Sequence, residues 1–338
     1  MQTGSRYTGQ GASPGPLLEL IGGKWLSQAI SVAAELGIAD FLKDGPRSAA
    51  EIADMAGASE DAVFRLLRAL AGVGCFSRLP GRRFALAPLG EYLRSDVSGS
   101  LRGYARYMGH HSVWRSLGEL LYSVQTGKPA FDHVFGMGVF DYLAKDTEAA
   151  GLFNDAATSL STIDASAVAE GYDFSGISTL VDVGGGHGLL LATILKANPG
   201  MSGILFELPH VVQGATSLLQ REGVASRCPV ISGDFFESIP LGGDAYIMKG
   251  IIHDWGDDRS SQILRNCHRV MSSGAKLLVV DRVISASDES DIRMLVMTPG
   301  GRERTEAEFR QLYEQAGFQF TRVVSTTSPR SVIEGIRL

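Results

Sequence analysis

The chain has 338 residues, of which 44% are apolar and 20% are charged, so it is long enough for roughly two domains with sizeable cores. Its net charge of −6 disfavours nucleic acid as the main partner. No uncharged apolar run is long enough to span a bilayer, and the polar, glycine-rich start has no signal-peptide pattern. We predict a disordered tail over residues 1–15. Three widely spaced cysteines (Cys75, Cys228 and Cys267) fit neither a disulfide framework nor a zinc site, which favours the reducing cytoplasm.

Residues 16–100 are predicted to form a winged-helix-like domain. Apolar residues at three- and four-residue steps predict a helix over residues 17–42. Ser48 and Ser59 are candidate N-caps of two further helices. Two short alternating runs around Pro80 then predict a hairpin.

Because winged helices often bind DNA, the charge of this region separates two functions. Residues 1–110 hold 12 lysines and arginines against 10 aspartates and glutamates, a balance of +2. A balance of +2 provides too little positive charge for the several phosphate contacts that DNA binding needs. A dimerisation role is favoured, and the apolar helix over residues 17–42 supports it.

The rest of the chain divides into a helical and an α/β part. Residues 101–170 are helical in pattern and rich in aromatic residues, as in a linker that lines a pocket for a flat apolar molecule. From residue 171 strands and helices alternate as in a doubly wound sheet. The predicted strands are 179–183, 204–207, 229–231, 245–248, 276–283, 318–324 and 332–337. The turn between the last two is too short for a parallel crossover, so this pair is predicted to be antiparallel.

The most informative segment is Leu180-Val-Asp-Val-Gly-Gly-Gly-His-Gly-Leu189. An apolar strand breaks into glycines before a helix, which lets a ligand approach the backbone beside the helix N-terminus. The spacing is G-x-G-x-G, and Leu189 stands where the dinucleotide fingerprint needs glycine. This departure disfavours a nicotinamide dehydrogenase and favours a nucleoside without a pyrophosphate, above all S-adenosylmethionine. A tight structural turn is the alternative.

Acidic side chains follow the next two predicted strands. Glu207 ends the second strand, 19 residues after Gly188, where a carboxylate can accept hydrogen bonds from both ribose hydroxyls. Asp234, after the third strand, is a candidate acceptor for an adenine amino group, and Phe235 is a candidate to pack on the ring. The alternatives are a surface carboxylate and ordinary turn chemistry.

The fourth strand leads into Met248-Lys-Gly-Ile-Ile-His-Asp-Trp255, at the sheet edge where doubly wound folds bind ligands. We interpret His253 as a candidate catalytic residue, against the alternative of a structural histidine, and Trp255 as core packing. Two acids are placed to serve His253. Asp281 ends the fifth strand and Glu303 precedes a helix, where favourable interaction with the helix dipole is the alternative role.

Other polar residues have simpler interpretations. An aspartate in Gly256-Asp-Asp258 is the expected N-cap of the next helix, and Glu306 is expected to close a capping box. His110 and His111 are adjacent, so they cannot both face one metal ion from a regular helix. Together with His133 they are interpreted as pocket or core residues.

These segments resemble class I O-methyltransferases of the plant caffeic-acid and acetylserotonin type, and most of all bacterial relatives that methylate phenolic polyketides, phenazines and similar natural products. The resemblance runs from Leu17 to the C-terminus. It is carried by Val181-Asp-Val-Gly-Gly-Gly-His-Gly188, Phe206-Glu-Leu-Pro-His210, Gly233-Asp-Phe-Phe236, Met248-Lys-Gly-Ile-Ile-His-Asp-Trp255 and Gly300-Gly-Arg-Glu-Arg-Thr305.

The resemblance implies a Rossmann-like methyltransferase domain over residues 171–338, with a seven-stranded sheet, and an N-terminal winged-helix domain that forms a homodimer. It implies S-adenosyl-L-methionine as cofactor, S-adenosyl-L-homocysteine as product, and no metal, nucleic acid or membrane. It makes His253 the general base, flanked by Asp281 and Glu303. The implied cofactor contacts are Asp182, Gly184, Gly185, Gly186, Glu207, Leu208, Gly233, Asp234, Phe235 and Lys249. The expected substrate pocket comprises Met108, Trp114, Phe131, Phe153, Asn154, Ala157, Asp254, Met294 and Met297.

The chain departs from the family pattern at four places. Glu207 replaces the aspartate of plant members, and Asp281 stands where many members carry glutamate, which shortens its reach to His253. Ala157 replaces a methionine that packs on substrate, so we expect a roomier pocket. The segment 285–293 is shorter than in the family.

The sequence therefore predicts an S-adenosylmethionine-dependent O-methyltransferase that acts on a hydroxylated aromatic small molecule. The acceptor, and the choice of O- over N- or C-methylation, stay open. One alternative is a relative that binds the cofactor but catalyses hydroxylation or decarboxylation, and the presence of His253 counts against it. The other is a ligand-sensing regulator that uses the winged-helix domain.

Overall fold

A computed structural model describes residues 13–285 and 290–338. The chain divides into two units, one of residues 1–110 and 152–159 and one of residues 111–151 and 160–338. Most of the predicted tail, residues 1–12, lies outside the described residues, as do residues 286–289 of the short segment 285–293. The predicted domain boundaries after residues 100 and 170 stay predictions.

The first unit has the predicted hairpin and helices, with one correction. The helix predicted over residues 17–42 is two helices, one ending at Glu35 and one beginning at Ile38, because Gly37 between them has a left-handed φ of 67°. Its elements are α1 (Gly15–Glu35), α2 (Ile38–Phe41), β1 (Arg47–Ser48), α3 (Ala49–Ala56), α4 (Glu60–Ala71), β2 (Phe76–Leu79), β3 (Arg83–Leu86) and α5 (Arg102–Gly109). Strands β2 and β3 pair antiparallel around the turn at Pro80-Gly81, and β1 adds a third strand. Their core of Ile38, Ile52, Leu67 and Phe84 is fully buried.

The second unit begins with short helices and continues as an α/β sheet. The helices before the sheet are α6 (His111–Gly118), α7 (Leu120–Thr126), α8 (Ala130–Phe135), α9 (Val139–Lys145) and α10 (Thr147–Gly171), of which α10 also supplies residues 152–159 of the first unit. The remaining elements are β4 (Thr179–Val183), α11 (Leu189–Ala197), β5 (Ser202–Glu207), α12 (Ala215–Arg221), β6 (Val230–Ser232), β7 (Ala245–Lys249), α13 (Asp257–Val270), β8 (Lys276–Asp281), α14 (Ser290–Met297), α15 (Glu306–Gln315), β9 (Phe318–Ser325) and β10 (Ser331–Arg337).

The seven strands lie in the order β6-β5-β4-β7-β8-β10-β9. The first five are parallel, and β10 is antiparallel to both β8 and β9, as predicted for the last pair. Side chains alternate along each strand between the two faces. Leu278 and Val280 therefore pack with α11 on one face, while Leu277 and Val279 pack with α13 and α15 on the other. The predicted strand bounds lie within two residues of those in the structure at every end.

The two candidate N-caps of the first unit differ in the structure. The Ser48 hydroxyl accepts from the Glu51 amide at 3.2 Å, and Glu51 accepts from the Ser48 amide at 2.7 Å, which completes a capping box. Ser59 precedes α4 without a side-chain capping bond.

This difference predicts unequal costs for the same substitution. Ser48→Ala should lower the free energy of unfolding of the first unit by about 1 kcal/mol, because it leaves a helix amide unpaired. Ser59→Ala is the matched control and should cost much less. Urea unfolding, with hydrogen exchange of the α3 amides, measures both, and equal losses would contradict the capping geometry.

Candidate functional site

A glycine loop follows β4 at the edge of the sheet. Gly184, Gly186 and Gly188 have φ angles of 70°, 60° and 85°, which side-chain-bearing residues rarely adopt. Gly185 is needed for space, since a Cβ there would lie 2.4 Å from Leu205 Cδ1. A Cβ on Gly186 would meet nothing within 4 Å. The loop is thus tightly fitted to the protein at Gly185 and open at Gly186, as a ligand loop should be.

Asp182 lies beneath this loop as a buried carboxyl group. It is 1% exposed, and within the described residues neither of its oxygens has a hydrogen-bond partner. Burial raises its pKa to about 7, against the opposing charge of Lys249. Lys249 ends β7, and burial lowers the pKa of its ammonium group. An acidic group that is buried without partners is costly, so Asp182 fits a site that is completed by a donor or cation on the ligand.

Glu207 is half-buried and shapes the other side of the loop. Its Oε2 accepts from the Gly186 amide at 2.9 Å and its Oε1 from the Leu208 amide at 2.7 Å. A carboxylate has about four acceptor positions, so two remain for a pair of hydroxyl groups. The side chain ties the glycine loop to the end of β5.

The segment after β6 lies against the same loop. The Gly233 amide donates to the Glu207 carbonyl at 3.0 Å, and a Cβ on Gly233 would lie 2.6 Å from Phe206 Cε2. The Phe236 amide donates to Asp234 Oδ1 at 2.8 Å. A Cβ on Gly184 would lie 3.4 Å from the Phe235 ring, which places that ring next to the glycine loop. The structure thus brings together the predicted contacts of all three segments.

His253 lies on a short 3₁₀ turn after β7 and is 5% exposed. Its Nδ1 is 3.2 Å from Glu303 Oε1 and 3.7 Å from Asp281 Oδ1, and its Nε2 is 3.6 Å from Asp254 Oδ1. The predicted trio therefore meets, and Glu303 is the hydrogen-bond partner. The aspartate at 281 reaches ion-pair distance only, in keeping with its shorter side chain.

The charges around His253 make it a stronger base than free histidine. Burial disfavours the imidazolium, but the carboxylates of Asp281, Asp254 and Glu303 outweigh this, so the pKa of His253 is raised above its usual 6.5. Burial would raise the pKa of Glu303, but its hydrogen bond to His253 and nearby positive charges hold that pKa below its usual value.

The sequence analysis did not assign a role to three residues of this cluster, Arg330, Asp164 and Arg304. Arg330, in the turn between β9 and β10, donates from Nη1 to Asp281 Oδ1 at 2.7 Å and from Nε to Asp164 Oδ2 at 3.0 Å. Arg304 is fully buried and donates to the carbonyls of Ile252 and Trp255, on either side of His253. The missing signal was the pairing of β10 with β8, which sets Ser331 opposite Asp281.

Two helix-start predictions are wrong. Gly256, not an aspartate, is the N-cap of α13, and it makes no side-chain cap. Asp257 instead accepts from Arg304 at 2.9 Å and from Arg302 at 2.5 Å, because a buried arginine needs that carboxylate more than the helix end does. The capping box of α15 is closed by Glu308 with Thr305, not by Glu306.

The predicted pocket residues fall in both units. Met108, Phe153, Asn154 and Ala157 belong to the first unit, and Ala157 is exposed. Trp114, Phe131, Asp254, Met294 and Met297 belong to the second, where α14 packs against α6, α7 and α8. Trp255 packs between the rings of Phe140 and Phe236, as predicted for a core residue.

The remaining predictions concern histidines and metals. The ring of His133 stacks on Tyr122 with centroids 4.0 Å apart, and His111 lies against Phe135. In the part of the chain that the structure describes, no group of three or more histidine, cysteine or acidic residues is arranged for a metal ion. No helix among the described residues is long and apolar enough to cross a membrane.

Three features together define the class I methyltransferase fold. They are the seven-stranded sheet with one antiparallel hairpin, the glycine loop after β4 and the acidic residue at the end of β5. The family model of the O-methyltransferase domain matches residues 114–319, and that of the O-methyltransferase dimerisation domain matches residues 18–96. The chain belongs to the S-adenosylmethionine-dependent O-methyltransferase family.

Similar proteins agree with this assignment. Phenazine O-methyltransferase PhzM of Lysobacter antibioticus is 41% identical over 94% of each chain. Mitomycin biosynthesis 6-O-methyltransferase of Streptomyces lavendulae is 40% identical over 90% of this chain and 88% of its own. The crystal structure of NcsB1, an O-methyltransferase from neocarzinostatin biosynthesis in complex with S-adenosylmethionine and 2-hydroxy-5-methyl naphthoic acid, has a TM-score of 0.79 at 34% identity and covers 92% of this chain and 96% of that one.

The buried carboxyl of Asp182 predicts a pH-dependent affinity for S-adenosylmethionine. The cationic groups of this ligand favour the ionised carboxylate, whose pKa is about 7 in the free protein. Calorimetry should therefore show affinity rising about eightfold from pH 6 to pH 7.5. In Asp182→Asn this pH dependence should disappear.

The same substitution tests the sign of the stability effect. Because the pKa of Asp182 is raised on folding, the carboxyl lowers stability progressively from about pH 4 to pH 7. Ligand-free Asp182→Asn should therefore melt above the unsubstituted protein at pH 8, and gain less from added S-adenosylmethionine. A lower melting temperature would argue against an unpartnered carboxylate.

Proposed function

We propose that this chain transfers the methyl group of S-adenosylmethionine to a hydroxyl oxygen of an aromatic small molecule, with His253 as the general base. The observation that carries the proposal is the buried imidazole whose Nδ1 is held by Glu303 at 3.2 Å, at the carboxyl end of β7. With Nδ1–H donated to Glu303, Nε2 has a free lone pair to take a proton. Ligands bind at this edge of doubly wound sheets.

The proton transfer explains why carboxylates surround the base. A phenol titrates near pH ~10 and free histidine near ~6.5, a gap of about 5 kcal/mol. Opposite charges within a few ångströms narrow that gap by about 1–3 pK units. Glu303 and Asp281 therefore stabilise the imidazolium that forms when the acceptor loses its proton. The structure supports this role through the raised pKa of His253.

The residues at the glycine loop fit S-adenosylmethionine, which supplies an activated methyl group when bound. Glu207 has acceptor positions left for the ribose hydroxyls. Asp234 is the proposed acceptor for the adenine amino group, and Phe235 is the proposed contact of the adenine ring. Asp182 offers a carboxylate to a cationic ligand, and the open side of Gly186 leaves room for it. Leu208, Gly233 and Lys249 complete the proposed contacts.

The acceptor is proposed to be a flat, hydroxylated aromatic molecule. The similar proteins are named as a phenazine O-methyltransferase and a 6-O-methyltransferase of mitomycin biosynthesis, and NcsB1 was crystallised with a naphthoic acid. The proposed pocket residues are aromatic, methionine or small, as a flat apolar acceptor requires. In the second unit the polar residue proposed to contact the acceptor is Asp254. In the first unit it is Asn154, and the proposed contact at Ala157 has a smaller side chain than the methionine of the family.

The first unit is proposed to form a homodimer. The exposed fractions of Leu18, Ile21 and Trp25 on α1 are 65%, 61% and 73%, which is an apolar surface that a second chain would cover. The match to the family's dimerisation domain spans this helix. All three cysteines are free and buried, as suits the cytoplasm that we propose as the location. Neither nucleic acid nor a membrane is a proposed partner.

Removal of the base tests the mechanism directly. His253→Ala should lower kcat on a phenol by about 10²–10⁴-fold and leave the affinity for S-adenosylmethionine nearly unchanged. In the unsubstituted enzyme, kcat should fall as the pH drops through the pKa of His253, above 6.5. Release of S-adenosylhomocysteine from a panel of phenols measures turnover.

A matched control uses another histidine of the same unit. His268 packs against Phe318, away from the site, and His268→Gln should keep full turnover. Full activity of His253→Ala would rule out the base assignment. Products that lack S-adenosylhomocysteine would favour a non-methylating relative instead.

The proposed chemistry needs no metal ion, because the methyl donor is already activated and the base is a side chain. Turnover should therefore stay within about twofold after dialysis against excess EDTA. The control is the same assay with added Mg²⁺ or Zn²⁺, which should restore nothing. A loss in EDTA that a divalent ion reverses would contradict metal independence.

A further inference from the structure

Arg330 is a buried cation that the proposed reaction does not yet use. It is 9% exposed and lies between two carboxylates, Asp164 of α10 and Asp281 of β8, which are 5% and 0% exposed. Its Nε donates to Asp164 at 3.0 Å and its Nη1 donates to Asp281 at 2.7 Å. The two bonds leave the guanidinium group little freedom to move.

The Asp281 oxygen that Arg330 holds is also the one that faces the base. Oδ1 of Asp281 is 2.7 Å from Arg330 Nη1 and 3.7 Å from His253 Nδ1. A carboxylate that is bound this firmly to arginine cannot move closer to the imidazole without losing the shorter bond. Glu303, at 3.2 Å, is therefore the acceptor for the Nδ1 proton.

Gly250 shows how near the arginine lies to the base. A Cβ at this position would lie 3.5 Å from Arg330 Nη2 and 3.6 Å from His253 Nε2. The guanidinium group and the imidazole thus both border the space that a side chain at position 250 would fill. The nearby positive charge opposes protonation of His253, while Asp281, Asp254 and Glu303 favour it.

The charge of Asp281 adds to the preference that Glu303 sets for a proton on Nδ1. Ionised Asp281 can only accept, so it favours hydrogen on Nδ1 and a free lone pair on Nε2. Protonated Asp281 would lack this charge and would weaken the preference for hydrogen on Nδ1, so the tautomer with hydrogen on Nε2, which cannot act as a base, would become more populated. Burial raises the pKa of Asp281, and the charges of His253 and Arg330 oppose that rise.

We propose that Arg330 is a positioning residue for methyl transfer: it holds the Asp281 carboxylate ionised and in place, and so fixes His253 with its Nε2 free toward the acceptor. This inference rests on the proposed function of His253 as base. Asp164 anchors the arginine from α10. Since a buried ion pair alone contributes little to stability, a role in fixing the tautomer accounts for the arrangement better than stability does.

Two substitutions separate charge from geometry. Arg330→Met removes the charge and should lower kcat by about 10–100-fold, with little change in the affinity for S-adenosylmethionine. Arg330→Lys keeps the charge but cannot bond both carboxylates in the same way, so it should recover part of kcat. Arg227→Met is the control, because Arg227 bonds backbone carbonyls away from the site and should affect melting alone.

A double-mutant cycle then tests whether Arg330 acts through Asp281. In an Asp281→Asn background, Arg330→Met should cost less than about threefold in kcat. If the losses in kcat of the two single variants multiply in the double variant, the proposal is wrong. An Arg330→Met enzyme that melts at a lower temperature but retains full kcat would also overturn it.

The imidazole itself gives a measurement that does not depend on turnover. Nitrogen NMR of ¹⁵N-histidine-labelled protein, with the His253 signals assigned by their loss in His253→Gln, reports the tautomer. We expect hydrogen on Nδ1 in the unsubstituted protein, a shift toward Nε2 in Arg330→Met, and partial return in Arg330→Lys. An unchanged tautomer in Arg330→Met would overturn the proposal. Absence of turnover on every phenol would instead count against the proposed function, while the NMR result would still stand.

Discussion

The hydrogen bond between His253 and Glu303 is the interaction on which the site depends. An imidazole that is buried among three carboxylates can accept a proton readily, but only if its ring is held in one orientation. Two buried arginines secure this arrangement. Arg304 binds the backbone on both sides of His253, and Arg330 binds the carboxylate beside it. Two buried arginines thus bind the groups on either side of the His253 imidazole.

The glycine loop lies at the same sheet edge but is shaped by its backbone, whereas the His253 cluster is built from buried side chains. Here side chains are absent, and the backbone is shaped by φ angles and by close packing under Gly185. Asp182 is buried beneath it with unpaired oxygens, while Glu207 bonds the loop from the side. The same sheet edge therefore has the proposed base after β7 and, on the adjacent strand β4, a buried carboxyl group without a hydrogen-bond partner among the described residues.

Much of this was predictable because the signals are local in sequence. Apolar runs that end in Gly184, Glu207 and His253 place those residues at the same sheet edge once the strands are parallel. The meeting of His253 with Asp281 follows from the same rule, whereas Glu303 lies in the loop before α15 and was predicted from its sequence motif. The order β8-β10-β9, by contrast, depends on contacts between distant residues, and so the role of Arg330 was invisible.

The helix starts failed for a related reason. Asp257 has the residue type and position of an N-cap, but a buried arginine 47 positions further along the chain binds its carboxylate. Tertiary charge pairing overrode local capping. Ser48, the N-cap of α3, forms the capping box with Glu51 that its local sequence predicts.

The position of β10 between β8 and β9 has a consequence for biosynthesis. Among the described strands, β9 pairs with β10 alone, and β10 follows it in the chain, so β9 lacks this partner until β10 has been synthesised. Arg330 directly precedes β10 and is synthesised 166 positions after Asp164, the aspartate that it binds. A nascent chain that lacks β10 would expose the edge of β8 and would also lack the arginine that binds Asp281 beside His253.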